Sequence, residues 1–402
     1  MKIVYPKEHI KISLNENGNK LEYVFKKKSI YIMSDIIAFQ LRTVFAQKKY
    51  DFDAYFKVFN VDNYYERFNV NNSKNIARVV IIRTGGIGDL IALSSITKFV
   101  YDNFSKNIVW ITQSKYFDVF AWYKVPVKTV ISFFDSVESN VDFLKLKKGN
   151  SSSKLIFFEG IIETSKDNWY ELQFQTIGMK KEDFDKNFGR PQLHIPEKFK
   201  KVKSRNIDAT KKSILINPRS TSRIRTMPFK DIYTALLEVI KDDPNYNIYI
   251  HKYNIVSQLD FAAIENIMQK DKRVKLIEAK NLHEFFIDAK DADYTVSVDT
   301  ALIHFREGIE KPGLGIYAAF PTEARTKYYQ YTKSIDVKFN CTQQPCFIHT
   351  KRPDEHCMYA MGKLKNGEWS IEDYAYAPCI YSKSNPELIN QLTEGLKDLL
   401  SV

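Results

Sequence analysis

Residues 78–103 read RVVIIRTGGIGDLIALSSITKFVYDN. Arg78–Arg83 is a short β-branched apolar run of the kind that forms a strand buried on both faces. Thr84-Gly85-Gly86-Ile87-Gly88-Asp89 follows, and from Leu90 the apolar residues recur at helical spacing. Strand, glycine turn, helix is the opening unit of a doubly wound α/β domain, in which the turn at the strand's carboxyl end lines a ligand crevice. Asp89 falls in the first helical turn. There it either caps the helix or offers a carboxylate to the crevice. The turn is too short for a dinucleotide fingerprint and lacks the Lys-Ser/Thr of a nucleotide-hydrolase phosphate loop.

Outward from this unit the alternation continues. NIVWIT (107–112), TVISFF (129–134) and KLIFFE (154–159) read as strands of the same sheet, with a helix over NWYELQFQTIGM (168–179). The stretch 196–212, PEKFKKVKSRNIDATKK, is polar, basic and non-periodic, and reads as a linker. A second α/β series follows. SILINP (213–218), NIYIHK (247–252), KLIEAK (275–280), YTVSV (294–298) and GLGIYA (313–318) read as strands, the last of them closing the series, with helices between them. Alternation at this spacing implies two parallel sheets facing a cleft. The expected organisation is an accessory segment over 1–77, partly strand and partly helix, and a Rossmann-like domain over 78–200. A second such domain spans 201–385, and PELINQLTEGLKDLL begins a closing helix within 386–402.

Composition bounds the function. Of 402 residues, 44% are hydrophobic and 27% charged, which excludes a largely disordered or fibrous chain. A net charge of +12 suits an anionic partner: nucleic acid, a phosphate-bearing substrate or an anionic membrane surface met peripherally. A basic nucleic-acid-binding protein is one class this charge admits. Against it, no basic stripe interleaved with aromatics stands out. Absence of the G-x-G-x-x-G fingerprint argues against a nicotinamide oxidoreductase. No apolar run approaches the ~18 residues of a membrane span, and the start MKIVYPKEHIKISL lacks a signal-peptide core, so a cytoplasmic protein is expected.

Two later motifs carry chemistry. Ser220-Thr221-Ser222-Arg223-Ile224-Arg225 leaves a strand end with hydroxyl and guanidinium groups together. That combination suits a phosphate or diphosphate, or else forms a solvated basic loop. Val298-Asp299-Thr300-Ala301 passes from strand directly into helix, setting the Thr300 and Ala301 amides at a helix N-terminus, an anion site built from backbone. Asp299 and Thr300 can equally serve as caps, and His304 is more often packed than catalytic. The only four cysteines, Cys341, Cys346, Cys357 and Cys379, are separated by four, ten and twenty-one residues. This scatter reads either as reduced thiols or as a tetrahedral structural site for zinc or iron.

Taken in order, ARVVIIRTGGIGDLIALSSI, NPRSTSRIRTMPF and DADYTVSVDTALIHFREGIEKPGLGIYAAFPT resemble glycosyltransferase family 9, the family of ADP-heptose:lipopolysaccharide and autotransporter heptosyltransferases. The match is most specific at I-R-x-G-x-I-G-D and V-D-T-x-x-x-H. The resemblance implies a two-lobed GT-B enzyme, inverting and without a cofactor in catalysis. Its donor would be a nucleotide-diphospho-sugar such as ADP-heptose, and its acceptor a hydroxyl of a lipopolysaccharide-type glycan or of a protein. It implies Asp89 as the base, with Gly85, Gly86 and Gly88 as the acceptor-side loop. On the donor side it implies Ser220, Thr221, Arg225, Asp299, Thr300, Ala301 and His304, which Arg223 joins as a neighbouring cation. Arg225 stands where the family carries lysine, and Ala301 where it carries glycine. HKYNIVSQ (251–258) has no counterpart of the family's ribose-contacting glutamate, and Phe305-Arg306-Glu307-Gly308 replaces a small, alanine-rich turn. The cysteine region resembles an iron-binding structural element of the autotransporter enzymes.

Overall fold

The computed structural model describes residues 2–16, 19–25, 31–33, 35–60, 66–72, 74–83, 86–127, 129–132, 153–158, 167–254, 258–338, 344–346 and 386–401. Two all-parallel sheets organise them. The first has five strands in the spatial order Glu66–Arg67, Ser153–Phe157, Arg78–Ile82, Ile108–Thr112, Thr129–Ser132. The second has six: Val274–Ile277, Tyr246–His251, Lys212–Asn217, Tyr294–Val298, Gly313–Tyr317, Thr332–Asp336. In each sheet a central strand, Arg78–Ile82 or Lys212–Asn217, has strands later in sequence on both sides, so the order reverses beside it. That reversal opens a crevice outside the carboxyl ends. Arg78–Ile82 leads into the glycine turn at one such point, and Lys212–Asn217 beside Tyr294–Val298 makes the other.

The expected last strand, GLGIYA, is not the edge of its sheet. Thr332–Asp336 pairs parallel to it, Gly313 opposite Thr332. Its sequence, TKSID, is polar and only partly buried, as suits an edge. The closing helix, Pro386–Leu400, packs Leu388, Leu392, Leu396 and Leu399 into the core of this second lobe. The N-terminal segment adds a three-stranded antiparallel sheet (Tyr31–Met33, Lys2–Pro6, Phe56–Asn60), a hairpin (Ile10–Glu16 with Asn19–Phe25) and the helix Asp35–Gln47. Val4, Phe25, Leu41, Phe45 and Phe56 form its own small core.

The helix Ile87–Asn103 is buried on nearly all sides over Leu90–Thr97, because the first sheet covers one face and the second lobe the other. Its buried hydroxyls are satisfied along the chain: Ser94 and Thr97 donate to the carbonyls of Ile91 and Leu93. A single apolar cluster runs across both lobes here. Trp122 stands at its centre, stacked on Phe199 and edge-on to Phe286 and Phe305.

That cluster explains the unusual turn Phe305–Gly308. Phe305 stacks on Phe286 at 4.2 Å. Arg306 is fully buried and donates to the carbonyls of Ala289, Ala292, Asp293 and Pro312. Glu307, equally buried, accepts the backbone N–H groups of Gln330, Tyr331 and Thr332. A Cβ on Gly308 would lie 2.7 Å from the Leu193 side chain, so the first lobe's exit strand approaches the backbone directly.

The stretch 196–212 is pinned at several points. It contains the short helix Glu197–Lys200, and Ser204 and Asn206 bond to Asp288 of the second lobe. Of the four cysteines, Cys346 is half-buried against the second lobe's core, while Cys341, Cys357 and Cys379 lie outside the described residues. Among the described residues no group of three or more His, Cys, Asp or Glu is placed to hold a metal. Among them, too, no helix is long and apolar enough to cross a membrane.

Candidate active site

A cleft of about 710 Å³ opens where the carboxyl ends of the two sheets face each other. From the first lobe, Gly86, Gly88, Asp89 and Trp169 line it. From the second come Asn217, Ser220, Thr221, Arg225, Asp299, Thr300, Ala301 and His304. Apart from the cysteines, nearly every residue singled out in the sequence therefore meets in one place. Gly85 lies outside the described residues, and Arg223, in the short helical turn Arg223–Arg225, is not among the lining residues.

The lobes touch at Gly88. A Cβ there would lie 3.5 Å from the Ala301 backbone and from the His304 ring. This contact sets the start of one lobe's helix against the start of the other's. Asp89 both caps its helix and faces the cleft. Its Oδ2 accepts the Gly86 N–H at 3.1 Å and the Arg83 guanidinium at 2.6 and 3.2 Å. Arg83 is buried and also donates to the Phe158 carbonyl. Among the described residues Oδ1 has no hydrogen-bond partner.

On the facing wall, Thr300 caps the helix Ala301–Gly308 by accepting the Leu302 N–H. Asn217 fixes it by donating to its Oγ1 at 2.9 Å. Arg225 reaches across to Asp299, 3.0 Å from Oδ2 and 3.2 Å from the carbonyl oxygen. Burial works to raise the Asp299 carboxyl, but Arg225, Arg325 and His304 outweigh it and hold its pKa at about 2. The Ser220 N–H donates to Thr226, and its hydroxyl accepts the Ser222 N–H, which shapes the loop around the cleft.

His304 is packed, as its residue type alone favoured. Its Nδ1 bonds the Tyr329 hydroxyl at 2.7 Å, Tyr329 meets Tyr170 of the first lobe, and Trp169 stands edge-on to the imidazole. Burial pushes its pKa down to about 4, with Asp299 opposing and Arg325 assisting, so it is neutral near pH 7. The folded chain thus refuses a proton that the unfolded chain accepts near the ordinary value of 6.5. Stability is expected to decline as pH falls from about 6.5 toward about 4. Denaturant melts across that window should be flatter for His304→Gln than for the parent. Equal slopes would mean that His304 does not govern this decline.

Sequence reading missed several lining residues: Arg219, Tyr253, Asn281, Phe285 and Arg325. Arg219 and Asn217 flank Pro218 at the end of a recognised strand, which was signal enough. Tyr253 follows the strand Tyr246–His251, where only a missing glutamate had been sought. Arg325 ends a four-residue helix, Thr322–Arg325, with no motif of its own.

A family model described as glycosyltransferase family 9 (heptosyltransferase) matches residues 167–356. No curated protein matches the chain. Among solved structures, the Escherichia coli ADP-heptose lipopolysaccharide heptosyltransferase II is 12% identical, with a TM-score of 0.54 over 81% of this chain and 98% of that one. A family 9 glycosyl transferase of Veillonella parvula is 11% identical, with a TM-score of 0.51 over 82% and 99%. An iron-containing dodecameric glycosyltransferase of enterotoxigenic Escherichia coli aligns over 100% of this chain and 91% of its own, at 9% identity and a TM-score of 0.45. The first two structures share the two-sheet GT-B architecture. With its motifs converging on one interlobe cleft and residues 167–356 matching the family 9 model, the chain is a glycosyltransferase of GT-B architecture.

Proposed function

We propose that the protein transfers heptose from ADP-heptose to a hydroxyl of a glycan or a protein, in a single displacement that inverts the anomeric carbon. The observation that carries this reading is the meeting of Gly88 with Ala301, which brings a carboxylate of one lobe and an anion-binding helix start of the other onto one cleft. A nucleotide-diphospho-sugar needs both. Charge develops on its leaving diphosphate, and preorganised donors stabilise that charge. Arg225, the Ser220 and Thr221 hydroxyls and the Thr300 and Ala301 amides supply them. The acceptor hydroxyl must lose a proton as it attacks, and Asp89 takes it through Oδ1, while Arg83 and the Gly86 N–H hold Oδ2.

The heptosyltransferase family model and the shared fold of an ADP-heptose enzyme favour ADP-heptose. Tyr253, Leu282 and Phe285 add an apolar stretch of wall with the Asn281 amide beside it, suited to a planar base. Incubation with a panel of nucleotide sugars, read by nucleotide release, tests the proposal. Release from ADP-heptose on adding acceptor is expected, and release from another sugar nucleotide alone would replace the donor assignment.

Arg225 gives a second check. Arg225→Ala is expected to weaken donor binding roughly ten- to hundredfold, since it removes a phosphate partner and also unmasks the buried Asp299 carboxylate. Arg225→Lys keeps the charge and should lose far less. Calorimetric titration with ADP reads both, and an unchanged affinity in Arg225→Ala would put the diphosphate elsewhere.

A further inference from the structure

Arg325 is buried yet lines the cleft, and the mechanism above does not use it. Its guanidinium carbon lies 4.2 Å from the Phe320 ring centroid and 5.2 Å from that of Trp169. Phe320 belongs to its own lobe and Trp169 to the other, so an aromatic ring from each lobe flanks one cation. A delocalised, weakly hydrated guanidinium tolerates such a setting and still offers phosphate a planar, two-pronged donor set, which an ammonium lacks.

Two further observations bear on its role. Arg225 converges on the same cleft; burial disfavours the Arg325 charge, Asp299 favours it and Arg225 disfavours it further. The described residues lining the cleft include three arginines, Arg219, Arg225 and Arg325, and two aspartates, Asp89 and Asp299. Like charges brought together in a partly dry cleft are a cost that a bound anion offsets. In addition, the position of Arg325 depends on the first lobe. Residues 168–171 clasp its segment: Asn168 donates to the Glu323 carbonyl, Tyr170 meets Tyr329, and Glu171 accepts from Tyr328 and Lys327.

We infer that Arg325 is a second cation for the donor's diphosphate, carried by the second lobe but held in place by Trp169 of the first, so that the anion site is complete only when the lobes are docked. This rests on the nucleotide-diphospho-sugar reading. It makes Arg325 a diphosphate-binding residue and Trp169 a positioning residue.

The test is calorimetric titration of the full chain with inorganic pyrophosphate and with ADP, alongside thermal melts. Arg325→Gln should weaken both ligands about tenfold, the scale of one charge-assisted phosphate contact. Arg325→Lys should weaken them about threefold, because it keeps the charge and loses the planar fork. Trp169→Leu should weaken pyrophosphate in the same direction, and combining it with Arg325→Gln should add little, since both act through one group. Unchanged pyrophosphate affinity in either folded Arg325 variant overturns the assignment, and full additivity with Trp169→Leu overturns the dependence on the first lobe. A parent chain that binds neither pyrophosphate nor ADP overturns the donor reading itself, and this assignment with it. Binding by the parent that the variants leave untouched removes Arg325 alone.

Discussion

Asparagine in place of Asp89 is expected to lower turnover about a thousandfold, the middle of the range for removing a general base. The substitution is close to isosteric. The amide oxygen can still accept the Gly86 N–H, so the helix start at Ile87 keeps a cap. On the proposed mechanism, what disappears is the negative charge that receives the acceptor's proton. Donor affinity should stay within about threefold, because the diphosphate partners lie on the other lobe. Stability will not be wholly spared. Arg83 is buried and loses its counter-charge, and breaking a fully buried pair costs about 3–5 kcal/mol. Asp89 itself is 23% exposed, so water screens the pair and the loss should be smaller. Steady-state kinetics with saturating donor, together with the donor dissociation constant, separate the two effects. Turnover near that of the parent would remove Asp89 from the chemistry and leave it as a helix cap paired with Arg83.

Much of this arrangement is legible in the chain because parallel sheets write themselves plainly. The inner residues of such strands, VVII and ILI, are buried on both faces and apolar throughout, and the candidate site residues follow the carboxyl ends of three of them. Asp89 and Asp299 stand at such ends, and Arg225 belongs to the loop that leaves one of them. Recognition failed where no local pattern exists. The edge strand Thr332–Asp336 is half-exposed and mixed in composition, so neither alternation nor a continuous apolar run marks it. Arg325 draws its surroundings from residues 156 positions apart in sequence, and no window contains both it and Trp169. Phe305–Gly308 illustrates the reverse problem. In sequence it is only a departure from a small, alanine-rich turn. Its phenylalanine, arginine and glutamate instead secure the helix that carries Thr300 and Ala301 at its other end.

That role makes Arg306 the position whose loss should damage the fold most. Arg306→Met keeps the length and apolar stem of the side chain but removes its donors. The carbonyls of Ala289 and Ala292, at the end of the helix Leu282–Asp291, would lose their partner, as would those of Asp293 and Pro312. Arg306 is fully buried, so water cannot replace it without opening the packing of Phe286 and Phe305. Each stranded carbonyl costs about 1–3 kcal/mol, and partial relaxation should limit the total to about 3–5 kcal/mol, the range for breaking a buried charged network. Arg306→Lys should rescue little, because an ammonium has three donors and no planar fork with which to reach four carbonyls. The two lobes share one apolar cluster, so the loss should appear in the main unfolding transition and not as a separate early phase. Donor affinity should fall alongside it, since the same helix presents the Thr300 and Ala301 amides to the cleft. Thermal denaturation of both variants decides the matter: a midpoint within a degree of the parent's would mean that these carbonyls find other partners, and that Arg306 does not hold the donor wall in place.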